Sequence, residues 1–221
     1  MIKGSSSFSD KVDTLFKQSI QLLKNAGADV IEVDQPDGSD YENDEFEVLL
    51  FEFRDGLNKY FAGLGNDGPV KNLKELIEFN KSDTVELRYF NQKILEMAEK
   101  KGDINSPDYK KSLEKMLKAT RENGIDKMMK SGNLDALIAP TGSPAWKTDL
   151  LLGDHFVGGS SSLAAVAGYP AITVPMGFIE GLPVGITFFG RAWSEPLLIE
   201  IAYSYEQITK HRKAPAYLAT D

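Results

Sequence analysis

The sequence predicts an α/β fold in which helices cover a mixed β-sheet, with an all-helical segment at about residues 43–130. Two observations support this prediction. Short apolar runs bounded by Gly, Pro or polar residues lie near both ends of the chain, and such runs are typical of strands. Between them, apolar residues recur at spacings of three and four, as on one face of a helix. The chain therefore divides into residues 1–34, 43–130 and 134–210.

Residues 1–34 predict a strand-helix-strand unit. Ile2 and Lys3 are interpreted as the end of a strand. Ser9 caps a helix that stops at Gly27, because Ser favours the N-cap and Gly the position after a helix. Asp29–Val33 alternates as a second strand, and a helix that joins two parallel strands makes a right-handed connection.

The middle segment is predicted to be helical throughout, and its first helix carries an apolar stripe that we interpret as core packing rather than a pocket lining. Asn72 with Glu75 forms a variant of the capping box, and Ser106 caps a long helix that has Pro107 in its first position. A further helix is predicted at about residues 85–101. The stripe consists of Phe46, Leu49, Leu50, Phe53, Leu57, Tyr60, Phe61 and Leu64.

The last segment predicts the main strands of the sheet. Ala136–Ala139 is a buried central strand, and Pro140–Pro144 forces a loop at its carboxyl end, the edge at which open α/β sheets bind ligands. Ala171–Val174 is a second buried strand, closed by the proline that follows. Residues 176–189 then predict a hairpin, and Ser194 caps the final helix.

Composition excludes several classes of function. The net charge of −8 argues against nucleic acid or an anionic membrane as a partner, because both select clustered Lys and Arg. The absence of Cys excludes thiol chemistry, and two His that are distant in sequence do not predict a metal site. No phosphate-binding glycine motif occurs, so no cofactor is predicted. The sequence shows no signal peptide and no apolar run of membrane-spanning length, which favours a cytoplasmic location.

A serine triplet, Ser160–Ser162, follows Gly158 and Gly159 and allows two interpretations. As a nucleophile, a serine needs a positioned base and oxyanion donors. The glycines offer backbone N–H groups, but the segment does not fit GxSxG and no base is fixed by the sequence. We therefore interpret Ser160 or Ser161 as the cap of an Ala-rich helix. His155 stays open as an acid, a base or a pocket residue.

Three segments carry a resemblance to a known family: LDALIAPTGSPAW, AGYPAITVPMG and GLPVGITFFGRAW. In this order they resemble the C-terminal half of an amidase signature enzyme, a family that includes amidases and the A-subunits of glutamyl-tRNA amidotransferases. The resemblance implies a partial α/β/α sandwich, with residues 1–221 as a single incomplete domain. It also implies that the catalytic Lys and two Ser lie upstream of this chain, so no catalytic residue is assigned here.

By the same resemblance, Thr141, Trp146, His155 and Phe156 are expected to line a substrate pocket for an amide. The expected function is the C-terminal portion of an amidase, inactive without its catalytic half. Two alternatives remain: a non-enzymatic remnant that binds a small molecule or self-associates, and a fragment similar to the amidotransferase A-subunit. The lack of an acidic residue near Gly158 favours a general amidase. The expected partner is the missing half or a second copy, with no nucleic acid and no membrane.

Overall fold

A long β-hairpin forms most of the sheet. Strand β2 (Ala171–Ile179) and strand β3 (Leu182–Phe189) pair in antiparallel fashion across a two-residue turn at Glu180 and Gly181. Both turn residues have positive φ, 49° and 83°, which is the twist that two-residue hairpins favour. The computed structural model of the chain describes residues 1–2, 9–38, 41–65 and 68–217.

Strand β1 (Leu137–Pro140) pairs with the other side of β3, so the strand order is β1-β3-β2. The N-terminus extends this sheet: the N–H of Ile2 donates to the carbonyl of Ile138 at 3.1 Å, and Ile2 forms a parallel bridge with Val33. The predicted α/β fold with a sheet covered by helices is therefore confirmed, and the three strands of this sheet pair in antiparallel fashion. The predicted strand at Asp29–Val33 is reduced to this one bridge, and Lys3 lies outside the described residues.

The strand predicted to end before Pro175 instead continues through it. β2 runs without a break to Ile179, and its register shifts by a bulge between Pro175 and Gly177. Among the described strands β2 has only one neighbour in the sheet, and proline is tolerated on an edge strand because its missing N–H is not needed there. The strand continues through Pro175 because β2 lies at the edge of the described sheet. The sequence of β2 does not specify that edge position.

One face of the sheet is buried against two helices, α1 (Asp10–Asn25) and α8 (Glu195–Thr209). The Ser9 cap of α1 is confirmed, since the N–H of Val12 donates to Ser9 Oγ at 3.2 Å. Ser194 occupies the N-cap position of α8, but its side chain makes no capping hydrogen bond. Its Oγ donates instead to the carbonyl of Arg191, so the predicted side-chain cap is wrong. The buried cluster comprises Val12, Phe16, Ile138, Val174, Met176, Val184, Ile186, Phe188, Leu198, Ala202 and Tyr205.

The chain's internal contacts divide it into two units, Met1–Pro36 with Thr120–Asp221, and Asp37–Ala119. The first unit holds the sheet, α1, α8 and two further helices, α6 (Asp126–Ser131) and α7 (Ser162–Ala167). A π-helical turn, Arg121–Ile125, precedes α6. Within that turn Gly124 leaves helical geometry, with φ −104° and ψ −107°.

The second unit is helical, in agreement with the predicted segment. Two of its predicted caps are confirmed: Asn72 Oδ1 accepts from the N–H of Glu75 at 2.9 Å, and Ser106 Oγ accepts from the N–H of Tyr109 at 3.4 Å. Its buried centre consists of Leu50, Leu73, Ile77 and Ala98. The helices are α2 (Glu42–Gly63), α3 (Leu73–Ser82), α4 (Lys93–Glu99) and α5, which runs from Pro107 to Thr120.

The helix predicted at about residues 85–101 is wrong in its first half, because α4 begins only at Lys93. Asp83 Oδ1 accepts from the N–H groups of Val85 and Glu86, at 2.7 and 3.3 Å. Such a side-chain turn competes with the helix for the same backbone donors. Periodicity alone did not reveal this competition. In the described part of the chain, no helix is both long and apolar enough to cross a bilayer.

The interpretation of the α2 stripe as core is also wrong for most of its residues. Leu50 is fully buried, but five other members expose between 38% and 61% of their surface. Besides Leu50, α2 buries Val48 and Phe51. Neither of these two residues belongs to the predicted stripe. The exposed members are Phe46, Leu49, Phe53, Tyr60 and Leu64.

The buried hydrogen bond between Tyr205 and Ser19 gives a test of the packing of α1 against α8. Ser19 Oγ donates to the carbonyl of Leu15 at 3.0 Å, so the Tyr205 hydroxyl donates to Ser19 Oγ at 2.8 Å. We expect Tyr205→Phe to lower the free energy of unfolding by about 1 kcal/mol, the usual net value of such a bond. Urea denaturation measures the loss. The control is Tyr203→Phe on the exposed side of the same helix, and equal effects of the two substitutions would contradict the assignment.

Candidate functional site

The loop that follows β1, residues 141–161, is fastened to the sheet at its base. The N–H of Thr141 donates to the carbonyl of Gly185 at 2.8 Å, and the N–H of Ser160 donates to the carbonyl of Thr141 at 3.1 Å. Gly142 and Gly159 form an antiparallel bridge beside these bonds. The two ends of the loop are therefore held together at the carboxyl end of β1, where sequence analysis predicted a ligand site.

Beyond this base, the loop exposes a pair of aromatic rings. The ring centroids of Trp146 and Phe156 lie 5.8 Å apart at an interplanar angle of 61°, an edge-to-face contact. Trp146 is 40% exposed and Phe156 is 65% exposed, and Leu151 and Leu152 of the same loop are almost fully exposed. Contiguous exposed apolar side chains mark ligand or protein interaction surfaces.

The four predicted pocket residues thus take different positions. Trp146 and Phe156 are in contact, His155 is exposed next to Phe156 in the chain, and Thr141 is half-buried at the base of the loop. The pocket-wall role of these residues stays a prediction.

Asp149 has a structural role within the loop. Its Oδ1 accepts from the N–H groups of Leu152 and Leu151, at 2.9 and 2.8 Å. These backbone hydrogen bonds lower the pKa of the Asp149 carboxyl group, because they stabilise its charged form. Asp149 therefore shapes the turn that carries the exposed leucines.

The serine triplet does not act as a helix cap. Ser161 occupies the N-cap position of α7, but its side chain makes no capping hydrogen bond and its backbone is helical (φ −77°, ψ −31°), unlike the extended backbone that a cap needs. The Oγ of Ser160 is buried without a hydrogen-bond partner in the described residues. The cap interpretation is therefore wrong. The nucleophile interpretation gains no support either, since no described base contacts Ser160 Oγ.

Sequence analysis missed a row of three hydroxyl groups on the face of the sheet opposite α1 and α8. Thr187 Oγ1 lies 2.8 Å from Thr141 Oγ1 and 3.0 Å from Thr173 Oγ1. Thr187 is buried, whereas Thr173 is exposed. Three hydroxyls carry three protons but form only two bonds with each other, so one O–H remains to donate elsewhere. We refer to these residues as the threonine row.

Gly185 makes the threonine row possible. It lies two residues before Thr187 on the same face, and a Cβ added at Gly185 would lie 2.6 Å from both Thr141 Oγ1 and Thr173 Cγ2. The sequence held a signal for this arrangement. In β3, Gly185 and Thr187 alternate with the core residues Ile186 and Phe188, and period-two alternation separates the two faces of a strand.

Arg121 contacts the segment between α7 and β2. Its Nε donates to the carbonyl of Ala167, the last residue of α7, at 2.6 Å, and its guanidinium lies 5.7 Å from the centre of the Tyr169 ring. The Tyr169 hydroxyl donates to Asp126 Oδ2 at 2.9 Å. Burial and this carboxylate both raise the pKa of Tyr169. Through Arg121, the π-helical turn is hydrogen-bonded to the end of α7, just before the segment that leads into β2.

Comparison with known proteins identifies the family of the chain. The amidase family model matches residues 2–199, almost the whole chain. The chain belongs to the amidase family. This assignment agrees with the resemblance that AGYPAITVPMG and the neighbouring segments carry.

Individual relatives support the same family. A probable amidase of Arabidopsis thaliana is 33% identical over 222 aligned residues, which cover 99% of this chain and 39% of the relative. The structure of a peptide amidase in complex with the competitive inhibitor chymostatin matches with a TM-score of 0.91 and 39% identity, covering 98% of this chain and 44% of that one. The glutamyl-tRNA(Gln) amidotransferase A-subunit of Symbiobacterium thermophilum is 37% identical over 86 residues, 36% of this chain and 17% of that protein. The chain thus spans about two fifths of the length of the amidases it matches.

Ser9 makes a capping hydrogen bond and Ser161 makes none, so alanine substitutions at the two positions are expected to differ in their effect on stability. We expect Ser9→Ala to lower the free energy of unfolding by about 1 kcal/mol, because it removes a capping bond. Ser161→Ala is expected to change it by less than about 0.5 kcal/mol, as for a surface position. Chemical denaturation of both variants measures the difference. A loss at Ser161 as large as that at Ser9 would restore the cap interpretation.

Gly185→Ala tests the threonine row. The new methyl group would meet Thr141 and Thr173, so we expect a loss of about 1–3 kcal/mol in the free energy of unfolding, typical of overpacking. The matched control introduces Gly185→Ala into a chain that already carries Thr141→Ala and Thr173→Ala, which remove the two atoms nearest to the new methyl group. The loss caused by Gly185→Ala is expected to be smaller in that background than in the unchanged chain. An equal loss in both backgrounds would show that steric overlap with the row is not the cause.

Proposed function

We propose that the chain is the C-terminal portion of an amidase, an enzyme that hydrolyses a C–N amide bond. The observation that carries this proposal is the match to the peptide amidase, which covers 98% of this chain at 39% identity. The same match covers only 44% of the longer enzyme. Following the family resemblance, we assign the catalytic Lys and Ser to polypeptide that precedes this region, and we expect the chain alone to be inactive.

The described residues also support the proposal that this chain contributes binding groups and that the catalytic groups lie elsewhere. Amide hydrolysis needs an activated nucleophile and donors that stabilise the oxyanion. Ser160 Oγ has no described partner that would activate it, and the chain contains no Cys. What the chain offers instead is a surface for binding, because its loop is held at the base and exposes aromatic rings at its tip.

We assign the wall of the substrate pocket to this loop. Trp146 and Phe156 provide an apolar contact, and Thr141 provides a hydroxyl group at the point where the loop leaves the sheet. His155 adds a polar ring beside Phe156. Pockets for small molecules combine such aromatic walls with a few polar groups that orient the ligand. This lining favours an uncharged amide, of a small molecule or at the end of a peptide.

A second candidate is a protein similar to the glutamyl-tRNA(Gln) amidotransferase A-subunit. It is favoured by the 37% identity over 86 residues to the Symbiobacterium thermophilum protein. That match covers little more than a third of this chain, whereas the peptide amidase match covers nearly all of it. An enzyme of the second kind would release ammonia from glutamine, so the two candidates differ in their substrate.

The experiment compares the chain alone with the chain co-expressed with the part of the peptide amidase that lies outside the match. Each preparation is assayed for ammonia release from benzamide, a peptide amide and glutamine. The chain alone is expected to be inactive, and the reconstituted pair is expected to hydrolyse the peptide amide. Glutamine as the preferred substrate would favour the second candidate. Turnover by the chain alone, abolished by Ser161→Ala, would contradict the proposal.

Trp146→Ala tests the pocket wall in the reconstituted pair. We expect KM to rise by about fivefold or more while kcat changes less than about twofold, because uniform binding is lost without loss of the reacting groups. The control is Trp193→Ala, another exposed tryptophan that lies outside the loop. Equal KM values for the two variants would remove Trp146 from the pocket.

A further inference from the structure

A buried hydroxyl group without a partner lies at the base of the loop. Ser160 Oγ is shielded from solvent and makes no hydrogen bond to any described residue. Buried polar groups are nearly always paired, because an unpaired group has lost its hydrogen bonds to water without replacement. The pocket wall assigned above does not use Ser160. Its hydroxyl group is therefore available to a ligand.

Ser160 lies directly opposite Thr141 on a short antiparallel ribbon. Gly142 and Gly159 form the bridge of this ribbon, and the N–H of Ser160 donates to the carbonyl of Thr141 at 3.1 Å. Residues directly opposite each other in antiparallel strands project their side chains from the same face. The Ser160 side chain therefore projects beside Thr141, at one end of the threonine row. We refer to Ser160 and the threonine row together as the hydroxyl site.

The hydroxyl site has hydrogen-bonding capacity that the described residues do not use. The two contacts within the threonine row, at 2.8 and 3.0 Å, use two of its three protons. Ser160 adds a further proton and no bond. Each hydroxyl oxygen can also accept hydrogen bonds. The site can therefore offer two O–H donors and several acceptor lone pairs to a bound group.

The hydrogen bonds of the hydroxyl site involve no charged side chain among the described residues. A carboxylate bound there would lose its hydration without gaining an opposite charge, which is costly. A neutral amide carries the groups that the site can pair, a carbonyl oxygen that accepts and N–H groups that donate. The hydroxyl site therefore favours an amide group over a carboxylate.

The backbone holds the hydroxyl site in place before a ligand binds. The N–H of Thr141 donates to the carbonyl of Gly185 at 2.8 Å, and Thr187 is buried within β3. Gly185 leaves the space that Thr141 and Thr173 occupy, because a Cβ there would lie 2.6 Å from each of them. Groups that are already ordered lose little conformational entropy on binding.

We propose that the hydroxyl site binds an uncharged amide group of the substrate other than the amide that is hydrolysed. This inference rests on the proposed function, because that function supplies the substrate. No described base contacts Ser160 Oγ, so the site supplies binding groups and no activated nucleophile. The reacting amide is left to the catalytic groups that we assign to the preceding polypeptide. The preferred substrate therefore carries two amide groups, as a peptide amide does.

The residues of the hydroxyl site have different roles. Thr141 and Ser160 contact the bound amide. Thr187 is a positioning residue, because its hydroxyl group contacts those of Thr141 and Thr173 and so fixes the direction in which Thr141 donates. Removing the Thr187 hydroxyl group is expected to weaken binding without removing a group that touches the ligand.

The first test titrates the chain alone with acetamide and follows the threonine methyl signals by NMR. We expect saturable shifts at Thr141 and Thr187, and binding of acetate that is weaker by about tenfold or more. Ser160→Ala and Thr187→Val are each expected to weaken acetamide binding by about fivefold, roughly the effect of one lost hydrogen bond. Thr187→Ser restores the hydroxyl group and is expected to restore binding.

The control for these variants is Thr14→Val, which removes an exposed hydroxyl group on α1. Its acetamide binding is expected to stay within about twofold of the unchanged chain, an effect smaller than that of one lost hydrogen bond. Thermal melting checks that each variant is folded.

The second test uses the reconstituted pair and compares N-acetylglycinamide, which has two amide groups, with benzamide, which has one. Thr187→Val is expected to lower the ratio of the KM for benzamide to the KM for N-acetylglycinamide by about fivefold, because only the second compound uses the hydroxyl site. A purely structural defect would change both KM values alike and leave their ratio unchanged.

The proposal is overturned if acetamide gives no saturable shift, or if acetate binds as tightly as acetamide. It is also overturned if Ser160→Ala and Thr187→Val leave acetamide binding unchanged, since the hydroxyl groups would then hold only water. An unchanged KM ratio in the reconstituted pair would contradict it as well. Acetamide binding without hydrolysis by the pair would leave the hydroxyl site established and the proposed function wrong.

Discussion

The structure depends on the pairing of β3 with a strand on each side. β3 brings β1 and β2 into one sheet, and its alternating side chains serve two surfaces at once. Ile186 and Phe188 enter the core, where the ring of Phe188 lies 5.7 Å from that of Tyr205. Gly185 and Thr187 face the opposite way and receive the base of the loop. A shift of β3 by one residue would exchange these surfaces, so core packing fixes the register of the candidate site.

The loop itself combines a rigid base with an exposed tip. Backbone bonds at Thr141 and Ser160 close its ends, and the bond from Arg121 to the carbonyl of Ala167 holds the helix that follows. Hydrogen bonds from charged groups are worth about 1.5–3 kcal/mol, more than neutral ones. Binding residues are often found on loops that a rigid scaffold positions. The exposed pair of Trp146 and Phe156 follows this pattern.

The described residues of both units expose apolar side chains. The exposed apolar side chains of the loop cost free energy in water, because hydration of apolar groups is unfavourable. The exposed aromatic residues of α2 present the same difficulty in the second unit. Under the proposed function, further polypeptide would cover these side chains, since the chain spans about two fifths of the length of the amidases it matches.

Features that depend on neighbouring residues could be predicted from the amino-acid order, whereas features that depend on distant partners could not. The caps at Ser9, Asn72 and Ser106 each join groups that lie three residues apart, and the hairpin turn joins consecutive strands. The family also followed from local segments, since their order along the chain is specific. By contrast, Thr141 and Thr187 meet because strand pairing brings them together, and no local spacing encodes that contact.

Two local preferences were overruled in the folded chain for the same reason. Pro175 stays within its strand because β2 lies at an edge, which is a property of the sheet rather than of the segment. Ser161 fails as a cap because its backbone is helical, next to the loop end that Ser160 joins to Thr141. In each case, free energy from long-range packing and pairing outweighs a local preference worth about 1 kcal/mol.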